Sequence, residues 1–195
     1  MTIRRSGSSF SEVDRVGKML AGHGLRILGQ VSTSEEVRVG ACCSSISLNF
    51  RDFPTVEDAR REIGALRSRI GSSGDADGKL AKKLKKAIGT YALAEKSDYI
   101  RNFLGESVTT QLQVFTINDD LLLGIPAELF VEYGLKLQEY MDSGLVFPIG
   151  YCNDMVGYVV TPEAAEEGGY EAGSTLLDDK AGTRILDGLR SMGRR

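Results

Sequence analysis

Residues 107–125 carry two strand-length segments joined by Asn118-Asp119, and Pro126 closes the second of them. In the first, Leu112, Val114 and Thr116 alternate with Gln111, Gln113 and Phe115, the period-two pattern of a strand. Asn and Asp tolerate tight-turn backbone, so the unit reads as a β-hairpin whose second strand is 121–125. A sheet is therefore unavoidable, and the remaining elements must cover it. Pro126 cannot donate to a ladder, so the chain leaves the sheet there. Leu129, Val131, Leu135 and Leu137 then populate a helix that reaches Met141.

Other segments extend the same scheme. Residues 36–50 alternate in two phases, Val37, Val39, Ala41 and Cys43, then Ile46, Leu48 and Phe50, which predicts a strand with a bulge near Ser44-Ser45. Residues 145–151 read as a buried strand, Asn153-Asp154 as a turn, and 157–161 as an extended segment. Helical periodicity marks 10–30, with Ser9 or Ser11 as a cap, and a closing helix over 181–191. Gly17, Gly22, Gly24 and Gly29 each cost a helix interior about 1 kcal/mol relative to Ala, so the first helix is expected to lie tight against a sheet or a partner. Strands interspersed with helices make the fold class α/β or α+β, a mixed sheet with flanking helices.

Residues 55–104 stand apart from that scheme. Pro54-Thr55 opens a helix with Asp58 placed for a capping contact, and the helix runs to Ile70. The linker 71–78 reads GSSGDADG, and a second helical stretch, 79–104, is expected to break near Gly89. The two make a helical hairpin inserted between strands as a lid or cover. The chain is expected to be one domain, 1–195, with a helix and strand over 10–54, the hairpin over 55–104 and an α/β part over 105–195.

Charge excludes some partners. A net charge of −3 offers no basic face for nucleic acid. The one basic run, KLAKKLKK at 79–86, has leucines at helical spacing and reads as a solvated helix face. No apolar run approaches the about 20 residues that a transmembrane helix needs. The first fifteen residues have Arg4 and Arg5 but no apolar stretch behind them, so no secretory signal is expected and the expected location is cytoplasmic. Cys42, Cys43 and Cys152 show no metal-type spacing and read as free thiols.

Chemistry-bearing residues gather in the last third. Glu128 follows a strand end, where α/β folds open crevices, though a first-turn glutamate also steadies a helix dipole. Tyr158 lies in NDMVGYVVTP and Tyr170-Glu171 in GGYEAGST, where Gly168 and Gly169 allow close backbone approach. Read alone, Tyr158 is a half-buried strand tyrosine and residues 168–173 are a surface loop.

Together, GIPAE at 124–128, NDMVGYVVTP at 153–162 and GGYEAGST at 168–175 resemble the C-terminal part of the catalytic domain of neutral/alkaline non-lysosomal ceramidases. Ala127 stands where that family's strand-end signature has a second glycine. The resemblance implies a zinc amide hydrolase in which Glu128 and Tyr158 are Zn²⁺ ligands. It also implies that the Tyr170 hydroxyl polarises the scissile carbonyl, with Ser174 and Thr175 as supporting donors. Two histidine ligands from the N-terminal half of that domain have no counterpart, because this chain has one histidine, His23, outside any such motif. The chain is thus expected to supply half of a site. Its expected partner is a histidine-bearing N-terminal-half chain, or a second copy through self-association, and its expected substrate an N-acyl amide or lipid-like molecule. A non-catalytic remnant acting as a binding or structural protein is the alternative.

Overall fold

A computed structural model describes residues 7–33, 35–73 and 78–193. The chain divides into two units, 1–37 and 38–195. In the first, helix α1 spans Phe10–Leu28; the Ser9 hydroxyl accepts the Glu12 N–H at 3.2 Å, and Glu12 pairs with Arg15 at 2.6 Å. A methyl group added at Gly17, Gly22 or Gly24 would meet no described atom within 4 Å.

The second unit is built on a four-stranded sheet. In chain order, β1 is Val39–Asn49, β2 Ser107–Ile117, β3 Asp120–Gly124 and β5 Val146–Ile149, and they lie side by side in that order. The first three are antiparallel, while β3 and β5 run parallel. Asn118 turns the β2–β3 hairpin at φ 53° and exchanges hydrogen bonds with Arg38, its N–H donating to the Arg38 carbonyl at 2.8 Å and its Oδ1 accepting the Arg38 N–H at 2.9 Å. The α/β class is as expected; the bulge in β1 is not. Its pairing with β2 runs unbroken from Val39↔Ile117 to Asn49↔Ser107. The two phases of its apolar pattern belong to opposite faces of one regular strand. Ile46 and Leu48 share a face, and Val39, Ala41 and Cys43 share the other.

Helices α5 (Val131–Tyr140) and α8 (Ala181–Met192) cover the inner face. Leu48, Leu112, Leu123, Leu137, Ile185 and Leu189 meet there with exposure of 1% or less. At about 25 cal/mol per Å² of apolar area removed from water, this layer is the main stabilising term of the unit. Gly182 seats α8 over Tyr133, since a Cβ there would fall 2.1 Å from the ring.

Helices α2 (Val56–Ser73) and α3 (Lys79–Ala94) pack together as the expected hairpin, and α4 (Ser97–Leu104) follows. The Thr55 hydroxyl accepts the Asp58 N–H at 3.1 Å, the capping contact that the sequence anticipates. The break after α3 falls at Glu95-Lys96 rather than Gly89. No helix among the described residues is long and apolar enough to cross a membrane.

Candidate functional site

The chain does not pass directly from β3 into a helix. After Pro126 it forms β4, only Glu128–Leu129, which pairs in parallel with β6, Tyr158–Val159. Glu128 is therefore a strand residue, not a first-turn glutamate, and the helix-dipole reading falls. Two backbone bonds fix the pair: the Glu128 N–H donates to the Gly157 carbonyl at 3.0 Å and the Phe130 N–H to the Val159 carbonyl at 3.1 Å. Glu128 and Tyr158 are register partners. Partners across a ladder carry their side chains on the same side of the sheet, so a carboxylate and a phenol stand side by side.

A third oxygen joins them that the sequence reading missed. Tyr151 lies two residues beyond β5 at φ 58°, a left-handed conformation uncommon for a bulky residue, and its hydroxyl donates to Glu128 Oε2 at 2.5 Å. The loop that carries Tyr151 is laced to the Ile125–Ala127 backbone. The Cys152 N–H donates to the Ile125 carbonyl at 3.0 Å and the Val156 N–H to the Pro126 carbonyl at 2.9 Å. Its sequence signal is faint, a strand-end tyrosine two residues before the Asn153-Asp154 turn.

The hydrogen bond to Glu128, followed by desolvation, pushes the Tyr151 phenol up to about 12. Partial desolvation, and then the Glu128 carboxylate, also raises Tyr158 above the ordinary phenol value. Both phenols are thus neutral donors at neutral pH, arranged around one carboxylate.

Tyr170 opens α7, Tyr170–Ser174, and meets Tyr158 edge-on, with ring centroids 6.0 Å apart and planes at 82°. Residues 168–173 are thus not a plain surface loop. Helix α6, Pro162–Glu167, precedes it, capped by the Thr161 hydroxyl, which accepts the Ala164 N–H at 3.1 Å. Gly168 and Gly169 join the two helices at φ 86° and 119°, where other residues are strained. At the far end of α7, the Thr175 hydroxyl donates to the Tyr158 carbonyl at 2.7 Å, tying the two tyrosine-bearing segments together.

The inserted hairpin grips this turn. The Gly169 N–H donates to the Lys82 carbonyl at 3.0 Å, and Lys82 pairs with Glu167 at 3.0 Å. Lys86, in the run expected to be solvated, instead donates to the Ala165 carbonyl. Burial, then the neighbouring Arg51 charge, lowers its ammonium pKa. Arg51 donates to the Gly173 carbonyl at 3.1 Å, the Ala172 carbonyl at 3.4 Å and the Thr90 hydroxyl at 3.2 Å. Where α3 crosses α7, a Cβ on Gly89 would lie 2.8 Å from the Gly173 carbonyl carbon, so the two backbones touch.

An apolar cavity of about 540 Å³ adjoins the carboxylate, lined by Ile125, Leu129, Phe130, Val131 and Leu135 with Glu128 and Tyr151 at its polar side. As a zinc site the donor set is half complete. Catalytic zinc takes about three protein ligands and an open position. Glu128 and Tyr158 are adjacent oxygen donors, but among the described residues no group of three or more His, Cys, Asp and Glu gathers anywhere. His23 lies on α1, in the other unit.

No family model matches the chain. It is 39% identical over 84 residues to a neutral ceramidase of Mycobacterium tuberculosis (strain ATCC 25618 / H37Rv), a stretch covering 40% of this chain and 13% of that protein. Among solved structures, neutral ceramidase from Pseudomonas aeruginosa superposes on 99% of this chain and 34% of its own, with TM-score 0.62 and 18% identity. A ceramidase complexed with C2 matches 40% of this chain and 13% of its own, at 29% identity and TM-score 0.38. The chain is thus similar to part of the neutral ceramidases: in sequence over less than half its length, and in fold over nearly all of it. It spans about a third of the solved structure whose fold it shares.

Proposed function

We propose that this chain is the site-bearing C-terminal half of a zinc-dependent, ceramidase-like amidohydrolase, completed by a histidine-bearing N-terminal half and acting on an N-acyl amide. One observation carries the reading. Glu128 and Tyr158, thirty residues apart in the chain, are partners in a two-residue ladder, with the Tyr170 ring against Tyr158. Three residues with no local reason to meet do so, and one of them, Glu128, also lines a cavity that would suit an acyl chain.

Zinc, when bound, would supply an activated water and a Lewis acid at the amide carbonyl. Glu128 and Tyr158 would hold the ion through oxygen, and the cation would lower the Tyr158 pKa that desolvation and the Glu128 carboxylate raise. The Tyr151 hydroxyl donates to Glu128 Oε2 and would orient the carboxylate, as supporting hydrogen bonds orient ligands elsewhere. The Tyr170 hydroxyl would donate to the carbonyl oxygen as negative charge develops there, and an oxyanion donor of this kind is worth roughly 3–4 kcal/mol.

The test is to isolate the tagged chain with its native partner and to assay zinc and N-acyl amide hydrolysis together. The reading expects about one zinc per complex, hydrolysis, and loss of hydrolysis with zinc retained in Tyr170→Phe. A partner-bound, metal-free complex inert towards N-acyl amides would overturn it.

A further inference from the structure

Glu128 and Tyr170 open onto different cavities. The carboxylate borders the apolar cavity of about 540 Å³ described above, whose walls include Ile125, Val131 and Leu135. Tyr170 borders a second cavity of about 380 Å³, with Lys82, Lys85, Glu167 and Glu171 around it. All of these residues belong to the unit 38–195. Among the described residues, Phe130 is the one that lines both cavities. It thus stands as a partition between an apolar compartment and a charged one.

Local structure holds the partition in place. Phe130 follows Glu128 by two residues in extended backbone, φ −64° and ψ 145°, so the two side chains project to the same side of the strand. Its N–H donates to the Val159 carbonyl at 3.1 Å, and its carbonyl accepts the Tyr133 N–H at 3.1 Å in the first turn of α5. Half-buried, the residue packs against the core. The two compartments reward different groups. On the apolar side, each methylene buried strengthens binding about fourfold. On the other side Lys82 and Glu167 pair at 3.0 Å, and an alkyl chain laid over such charges would displace their water with nothing in return.

We infer that Phe130 is a specificity-determining residue: it confines the acyl chain to the apolar cavity and directs a polar or charged amine half of the substrate into the cavity beside Tyr170. The identity of what enters rests on the amidohydrolase reading above; the partition does not. An amide carbonyl in reach of both Glu128 and Tyr170 lies at this boundary, so its two halves fall on opposite sides of Phe130. An N-acyl amino acid suits both compartments. An amide with an alkyl chain on each side leaves one chain against Lys82, Lys85 and Glu171.

The test is calorimetric binding of straight-chain primary fatty amides of increasing length to the full chain, as wild type, Phe130→Ala, Phe130→Leu and Arg51→Met. In the wild type, affinity should rise about fourfold per added carbon and stop rising where the chain fills the apolar cavity. The stop should move to longer chains in Phe130→Ala and, by less, in Phe130→Leu, which keeps an apolar side chain in the core if alanine unfolds it. Arg51 lines neither cavity, so Arg51→Met should leave the stop where it is. In the partner-bound complex, kcat/KM for an N-acyl amino acid should exceed that for an N-alkyl amide of the same acyl length by roughly tenfold or more, and Phe130→Leu should narrow the margin. No binding by the wild type, a stop unmoved in both Phe130 variants or moved as far in Arg51→Met, or equal rates on the two amides would overturn the inference. The two proposals fail separately. A stop that follows Phe130 in a chain whose complex hydrolyses no amide would keep the partition and remove the hydrolase reading. A hydrolysing complex whose stop ignores Phe130 would do the reverse.

Discussion

The two halves of the candidate site are held by different means. Glu128 and Tyr158 are positioned by main-chain register: a two-residue ladder and the backbone bonds around it. Tyr170 is positioned by a borrowed element, with α7 held against the inserted hairpin through glycine contact, Arg51, Lys82 and Lys86. A side-chain change cannot easily undo a ladder, but it can undo a clamp made of side chains and bare Cα atoms. The Glu128–Tyr158 half of the site should therefore tolerate substitution in the hairpin, whereas the Tyr170 half should not.

The sharpest way to break that contrast is Gly89→Val. Its added carbons would enter the Gly173 backbone, and overpacking at a contact that cannot yield costs about 3 kcal/mol. Urea denaturation should show this loss, and the Tyr158–Tyr170 contact should open while the Glu128–Tyr158 pair persists. Arg51→Met is expected to cost about 1–3 kcal/mol, because the carbonyls of Ala172 and Gly173 and the Thr90 hydroxyl lose their shared donor. Glu128→Gln, on the ladder side, should change stability by about 0.5 kcal/mol or less, as surface substitutions do. A denaturation midpoint shift as large as that of Arg51→Met would contradict the proposed division.

A subtler readout is the titration of Tyr151. Its phenol is raised in the folded state, so between about 10 and about 12 the native chain holds a proton that the unfolded chain has released. This contribution to stability is complete below the ordinary phenol pKa and is lost as pH rises towards 12. Ultraviolet titration should find a phenol titrating at about 12 that disappears in Tyr151→Phe and moves down in Glu128→Gln. An unchanged late phenol in both variants would remove Tyr151 from the site. The smallest expected effect is that of His23→Ala, which should leave bound zinc unchanged; a loss of zinc would favour a site shared between copies.

Much of this was legible in the sequence, and the failures share a cause. The hairpin at Asn118, the flanking helices and the Thr55–Asp58 cap follow from local pattern and turn chemistry. The bulge in β1 was misread because a strand with apolar residues on both faces mimics a shift of phase. The helix expected at Glu128 came from reading period across a two-residue strand, which has none. β4 exists only because β6 pairs with it from thirty residues away, and no local window can hold that information. Tyr151 was missed for the same reason, since its link to Glu128 spans twenty-three residues. The candidate residues came from motif resemblance, and the fold brings Glu128, Tyr158 and Tyr170 together from three separate segments.

Zinc stoichiometry of the partner-bound complex tests the central claim most directly, measured on the wild type beside Glu128→Gln and Tyr158→Phe. The account predicts about one zinc per wild-type complex and its loss in both variants, with the partner still bound. Zinc retained at wild-type level in both variants, or absent from the wild-type complex, would contradict it.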